Sequence, residues 1–320
     1  MASSSPERAR SAPPWWAQPP GGEPSPPPAA TGVRVVTVGF AACAVAGGRA
    51  PDRVFAEALS RNDLDSLAAF VTEAAADGGH VVVVYPAWSA EPTLQRLETI
   101  RAILGTRRLS WHASALAPLA GAVLASLAGT LAARVPGAGA LVAGLPLVER
   151  QLVTATWLSR LSGLERPAPS IWQHLVSLWP TTAFSVCSWP RLTLRRVARG
   201  AESLPLPRAT GPVGLAVAAA GGDRDWVRRA VAAPLGHPRL ILVESPPASV
   251  RYWGAKRLVE TVAHPADPGR LAGQVCARLR LHACSWCGEP GAGRWCAFCG
   301  LDSAGDADAQ GPFASPNRVV

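Results

Sequence analysis

At 320 residues the chain is long enough for one large domain or two small ones with tails, and with 48% apolar residues it can bury a sizeable core. Its formal charge of +9 is carried almost wholly by arginine, Lys256 being the single lysine. That balance favours anionic partners in general and does not choose between nucleic acid, anionic lipid and an acidic protein. Composition excludes a disulfide scaffold: of seven cysteines four crowd together near residue 290, and Cys43, Cys187 and Cys276 are scattered among apolar residues. Such thiols fit a reducing compartment. The opening residues include Glu7, Arg8 and Arg10 but no apolar stretch of the secretory kind, so the cytoplasm is the expected location.

Residues 1–31 are mostly Ser, Pro, Gly and Ala and are expected to be disordered, because they cannot bury enough apolar surface to offset ordering entropy. Trp15-Trp16, flanked by proline pairs, reads as a docking motif or as aromatics leaning on the body's own surface. The body is expected over 32–281. Its first strand, 33–40, is β-branched and apolar at nearly every position, which suits a strand covered on both faces. Gly47-Gly48 turns the chain and Pro51-Asp52 can open a helix. A second helix, capped by Asn62, carries Leu64, Leu67, Phe70, Val71 and Ala74 at helical spacing and ends at Gly78-Gly79. The valines of 80–85 form the next buried strand, 91–104 a helix and 109–112 a third strand.

Residues 109–133 and 167–190 contain no Asp, Glu, Lys or Arg. The first stretch is long enough to raise a membrane span. It is built of Ala, Gly, Ser and Thr around leucines, however, and small residues supply little transfer energy into lipid. An alanine-rich core helix is expected there, followed by an amphipathic helix near 138–161, within a helical insertion over about 113–200. Strands return at 212–219, 239–244 and 258–263, with helices at 223–233 and 267–281. Val213-Gly214-Leu215-Ala216 with Gly221-Gly222 echoes Val38-Gly39-Phe40-Ala41 with Gly47-Gly48. Two βαβ-type halves would produce that echo, and so would ordinary convergence of α/β units. The fold class is α/β: a mostly parallel sheet with alanine-rich helices, plus a small C-terminal module.

That module spans 282–302 and precedes a second tail, 303–320, expected to be disordered. Cys284-Ser285-Trp286-Cys287-Gly288 and Cys296-Ala297-Phe298-Cys299-Gly300 give the pattern C-x2-C-x8-C-x2-C, with a glycine after each pair. Two residues between thiolates let one turn aim both sulfurs at one ion, and two such knuckles build a tetrahedron. The segment resembles the short zinc-ribbon modules of the form CxxCG, spacer, aromatic-CxxCG. The resemblance implies a structural zinc held by Cys284, Cys287, Cys296 and Cys299, in a module that serves contacts with protein or nucleic acid. His282 is a conceivable alternate ligand. A rubredoxin-like iron site would use the same cysteines, but the spacer is short for it.

Elsewhere the candidates are sparse. The two double-glycine turns match neither G-x-G-x-x-G nor a P-loop. No histidine among His80, His112, His174, His237, His264 and His282 sits in a recognised ligand or catalytic pattern. Arg191, Arg195, Arg196 and Arg199 form the densest basic cluster, and on a helix Arg191, Arg195 and Arg199 would share one face able to meet phosphates. The expected function is a non-enzymatic interaction or regulatory protein using the ribbon as contact module, with a protein partner. The alternatives are a nucleotide binder or enzyme working at the strand ends near the glycine turns, a nucleic-acid binder using the ribbon and those arginines, and a protein that associates peripherally with a membrane through 109–190. Integral membrane insertion is not expected.

Overall fold

A strand that is apolar at every position needs cover on both faces, and the two valine runs receive it. β1 (Val33–Val38) and β3 (His80–Pro86) pair in parallel at the centre of a four-stranded sheet. Its order is β2-β1-β3-β4, with β2 (Arg53–Phe55) and β4 (Leu109–Ser114) also parallel to their neighbours. Val36, Val38, Val81 and Val83 face α1 (Arg61–Ala76) and α2 (Ala90–Leu104). Val35, Val82 and Val84 face the other way, into the interior of the molecule. The computed structural model describes residues 32–302 except 46–47, 56, 58, 166, 178, 180–181, 190–191, 198–203, 205 and 207–210. The tails expected at 1–31, with Trp15 and Trp16, and at 303–320 lie outside the described residues, as do Gly47, Arg191 and Arg199.

Against the inner face lies α3 (Pro118–Leu131), every one of whose fourteen residues is buried. On its far side stands a second sheet of order β7-β6-β5-β10-β8-β9. Its strands are β5 (Val153–Leu158), β6 (Ala183–Trp189), β7 (Thr193–Val197), β8 (Val213–Ala220), β9 (Arg239–Val243) and β10 (Leu258–Pro265). All its neighbours are antiparallel except β8 and β9. A helix enclosed by two sheets can afford neither charge nor bulk on any face. Where α3 meets β1's exit, Gly121 leaves room for the Phe40 ring, and Gly129 lets the carbonyl of Arg49 approach. That enclosure explains the uncharged composition of 109–133, and no helix among the described residues is long and apolar enough to cross a membrane.

The remaining helices finish the layers. α4 (Ala138–Glu149) packs on α3 and on α8 (Pro268–Cys276). α6 (Arg224–Trp226) runs on into a π-helical stretch, Val227–Ala232, that covers the outer face of the second sheet through Trp226, Val227 and Val231. α5 (Ile171–Ser177) joins β5 to β6, and α7 (Ala248–Trp253) joins β9 to β10. The last two strands, β11 (His282–Ala283) and β12 (Pro290–Gly291), form a hairpin in the cysteine module.

Several local expectations change. Pro51-Asp52 opens no helix: the Asp52 carboxylate accepts from the Val35 amide at 2.7 Å and steers the chain into β2. Ser60, not Asn62, caps α1, in a reciprocal box with Asp63. The amphipathic helix near 138–161 stops at Glu149, because Val153-Thr154-Ala155-Thr156 is β-branched and pairs as β5. The insertion over 113–200 is therefore helical only in part, and holds β5, β6 and β7 as well. The segment 193–197, expected on a basic helix, is the strand β7.

Gly121 offers a direct check on the sandwiched helix. An added Cβ would lie 2.1 Å from Cε1 of Phe40. Gly121→Val is therefore expected to lower unfolding stability by about 1–3 kcal/mol through overpacking, measured by urea denaturation.

Candidate functional site

Open α/β sheets present ligands at the carboxyl ends of their strands. In this chain that edge is built by Gly39 and Phe40 after β1, the turn Ala87–Ser89 after β3, and Ser114 at the end of β4. Gly39 takes φ +75°, where a side chain would also strike Pro86. The turn leads into α2, whose N-cap residue Ser89 makes no side-chain cap bond, so the first-turn amides lack the usual capping acceptor. In that first turn Thr93 heads the buried stripe of Leu97 and Ile100. Thr93 is 1% exposed and its buried hydroxyl has no hydrogen-bond partner. A buried, unsatisfied hydroxyl costs roughly 1–3 kcal/mol.

α7 lies over the same edge. A chain of rings runs from Phe40 to Trp88 (6.4 Å between centroids), to Tyr252 (5.2 Å) and to Trp253 (4.9 Å). Trp88 is half-buried and donates its indole N–H to the Leu116 carbonyl at 3.1 Å. Beneath α7 sits Glu260 of β10, wholly enclosed. Its carboxyl accepts from Trp253 Nε1 at 2.9 Å, from the Leu119 amide in the first turn of α3 at 3.4 Å, and from the Ser249 hydroxyl. Burial raises its pKa, and these three donors oppose that rise only in part. One carboxyl thus ties both ends of α7 to the start of α3. The edge as a whole offers an apolar, aromatic seam beside a helix N-terminus, which suits an apolar ligand with an anionic head.

The four module cysteines come together. Their Sγ atoms lie within 4.8 Å of one another, with Cys284–Cys299 at 3.7 Å and Cys287–Cys296 at 3.5 Å. Four thiolates around Zn2+ at 2.3 Å would stand about 3.8 Å apart, so the donor set fits a metal ion. The two knuckles match: Gly288 (φ +74°) donates its amide to the Cys284 carbonyl, and Gly300 (φ +72°) to that of Cys296. Burial pushes the Cys284 thiol up, but amides of Cys287 and Trp286 and neighbouring sulfurs bring it down to about 7. The module is wedged against the body at the opposite, amino edge of the parallel sheet. Phe298 is buried against the His80 ring at 5.1 Å. The Ser110 hydroxyl donates to the Ala297 carbonyl at 2.8 Å, and Glu289 pairs with His80 at 2.7 Å.

The other sequence candidates do not assemble into a site. Gly222 is tightly packed, with an added Cβ 2.6 Å from Val259, and Gly48 likewise faces Ser126 and Val45. After Gly222, the Asp223 carboxylate already accepts from the amides of Asp225 and Trp226, so no phosphate cradle is left. His112 pairs with Glu149 at 3.0 Å, and His264 bonds the Pro265 carbonyl. Arg195 and Arg196 occupy successive positions of β7 and so face opposite sides of the sheet. The residues that build the carboxyl edge (Phe40, Trp88, Thr93, Tyr252 and Glu260) were missed. Glu260 left a signal, as the one carboxyl inside the apolar run 258–263.

The sequence matches no protein-family model and no curated protein. In structure the chain resembles a DegV family protein from Corynebacterium glutamicum, at 14% identity and a TM-score of 0.50, over 73% of this chain and 97% of that one. It is also similar to a fatty-acid-binding DegV family protein from Thermus thermophilus, at 14% identity, TM-score 0.47 and 73% and 99% coverage. A third, DegV from Bacillus subtilis, described as a fatty acid binding protein, has 11% identity, TM-score 0.43 and the same coverage.

The likeness to the Corynebacterium protein shows a DegV-like fold for the body and corrects the functional expectation. The reading of a non-enzymatic interaction or regulatory protein, with the ribbon as contact module for a protein partner, is overturned by that likeness. Of the module's aromatics Phe298 packs into the body's own core, while Trp286 and Trp295 stay exposed. The nucleotide alternative falls with the occupied glycine turns. The nucleic-acid alternative falls with the helical arginine face that β7 replaces.

Glu260 gives a pH-dependent stability. Folding raises its pKa, so the folded protein keeps a proton that the unfolded chain releases. Its contribution is whole below the ordinary value of 4.5 and is lost as pH climbs toward the folded value. Glu260→Gln is expected to gain on the wild type as pH rises above that point and to match it below, in denaturation curves taken across the range.

Proposed function

We propose that this chain binds a fatty acid, or a ligand of the same chemistry, at the carboxyl edge of its parallel sheet. The observation that carries the reading is the uncapped N-terminus of α2, which follows the turn bearing Trp88, with a buried, unpartnered Thr93 hydroxyl in its first turn and the rings of Phe40, Trp88 and Tyr252 at the same edge of the sheet. Helix amides and a hydroxyl suit a carboxylate. The rings suit an acyl chain. Fatty-acid binding is what is described for the Thermus and Bacillus proteins; for this chain the support is its own geometry. Thiols such as Cys43, which burial pushes up to about 11, together with a thiolate cluster, fit the reducing cytoplasm as its location.

The metal is read as structural Zn2+ held by Cys284, Cys287, Cys296 and Cys299. A closed four-thiolate shell has no open position, so the ion supplies local folding energy and no chemistry. The module is taken as 282–302 and the body as 32–281.

Two measurements test these readings. Delipidated protein titrated with oleate is expected to bind it by calorimetry. Thr93→Val is expected to weaken binding by about 10-fold or more, as losing a hydrogen bond to a charged group does. Absence of binding, or an unchanged affinity in the variant, would sink the acyl reading. Protein purified under reducing conditions is expected to carry zinc, and Cys296→Ser to lack it. In that variant amide protection should fall over 282–302 and at the docked edge near Ser110, while most of the body's circular dichroism persists. Metal-free wild-type protein would refute the zinc site.

A further inference from the structure

α5 is inside out. Of its apolar side chains, Ile171 is 79% exposed, Trp172 76% and Leu175 48%, and Trp179 in the following turn is 69% exposed. Val176 alone of its apolar side chains packs against the core. Ser170 and Gln173 cap it reciprocally, the Gln173 amide donating to Ser170 Oγ at 3.3 Å and the Ser170 amide to Gln173 Oε1 at 2.8 Å. The turn that presents Trp179 is closed by the Thr182 hydroxyl, which donates to the carbonyls of Val176 (2.9 Å) and Trp179 (2.7 Å). These bonds hold the first turn of the helix and the turn that follows it. A contiguous exposed patch of large apolar residues marks an interaction surface.

Charge selects the partner. From 166 to 201 the sequence holds five arginines and no Asp or Glu. Two of those arginines, Arg195 and Arg196, are exposed on the edge strand β7. The register sets Arg196 opposite Phe184, at the end of β6 that the connection from α5 enters and on the face where Leu194 and Val176 of α5 also pack, while Arg195 faces the other side. Exposed tryptophans flanked by arginine, with no acid among them, match the composition that settles at an anionic bilayer surface. There indoles sit at headgroup depth and each nearby arginine gains about fivefold in partition.

We propose that α5 and the turn bearing Trp179 dock on an anionic lipid surface, with Arg196 against the headgroups. The docking goes beyond the acyl-binding reading and stands on a different observation. Vesicles free of fatty acid therefore test it alone. Full-length protein would be sedimented with phosphatidylcholine vesicles, with and without phosphatidylglycerol. Binding is expected to the anionic vesicles and to be about 10-fold or more weaker to the neutral ones. Trp172→Ala/Trp179→Ala and Arg196→Glu, each checked for native circular dichroism, are expected to lose about 10-fold or more. No binding to anionic vesicles, or equal binding by wild type and both variants, overturns the proposal. So does a wild-type dimer in solution that Trp172→Ala/Trp179→Ala dissolves, which would assign the face to a second copy of the chain.

Discussion

A helix held between two sheets has no solvent side, and α3 places that constraint on the rest of the chain. Interlayer spacing demands small residues, so the helix is written in Ala, Gly, Ser and Leu. Close approach in turn fixes its neighbours. Phe40 can lie flat over Gly121 only because no Cβ stands there, and the Arg49 carbonyl reaches in over Gly129. Both sheets then gain an apolar inner face against the same helix, and one core runs from Val35 through Leu124 to Val262. The position of the candidate site follows. The first turn of α3 lies near the carboxyl edge of the parallel sheet, and Glu260 reaches it from the second sheet.

The carboxyl of Glu260 is the exception to that apolar interior. An ionised group so enclosed, with only neutral donors around it, costs several kcal/mol. Burial answers by holding its proton. What the residue supplies is direction rather than net stability: one side chain gathers Ser249, Trp253 and the Leu119 amide, and so fixes where α7 presents Tyr252 to Trp88. Replacing it by a hydrocarbon would relieve the burial and leave Trp253 Nε1 without its acceptor.

Local patterns were legible in the sequence and distributed ones were not. The valines of β1 and β3 declare a covered parallel sheet by themselves, and Cys284, Cys287, Cys296 and Cys299 declare a metal-binding geometry within sixteen residues of chain. The strands β5 to β7 hid because Ala, Thr and Ser alternate there without a strong period, and because arginines at 191, 195 and 199 mimic a helical repeat. The carboxyl edge hid for a different reason. Its residues run from Phe40 to Glu260 and share no spacing, since three strand ends and two helices converge there only once both sheets have formed. An orphan hydroxyl such as that of Thr93 has no sequence signature at all.

The docked ribbon sets an order of assembly. Phe298 and Ala297 meet Arg101 and Ser110 across nearly two hundred positions of chain, among the most distant contacts of the fold, and such contacts form late. During synthesis the amino edge of the parallel sheet and the flank of α4 near Gly139 remain uncovered until the last knuckle emerges. A partly made chain would expose that apolar strip to proteases and to self-association. If the four cysteines hold a metal, its supply would act as a checkpoint on maturation, at the end of the sheet opposite the candidate site.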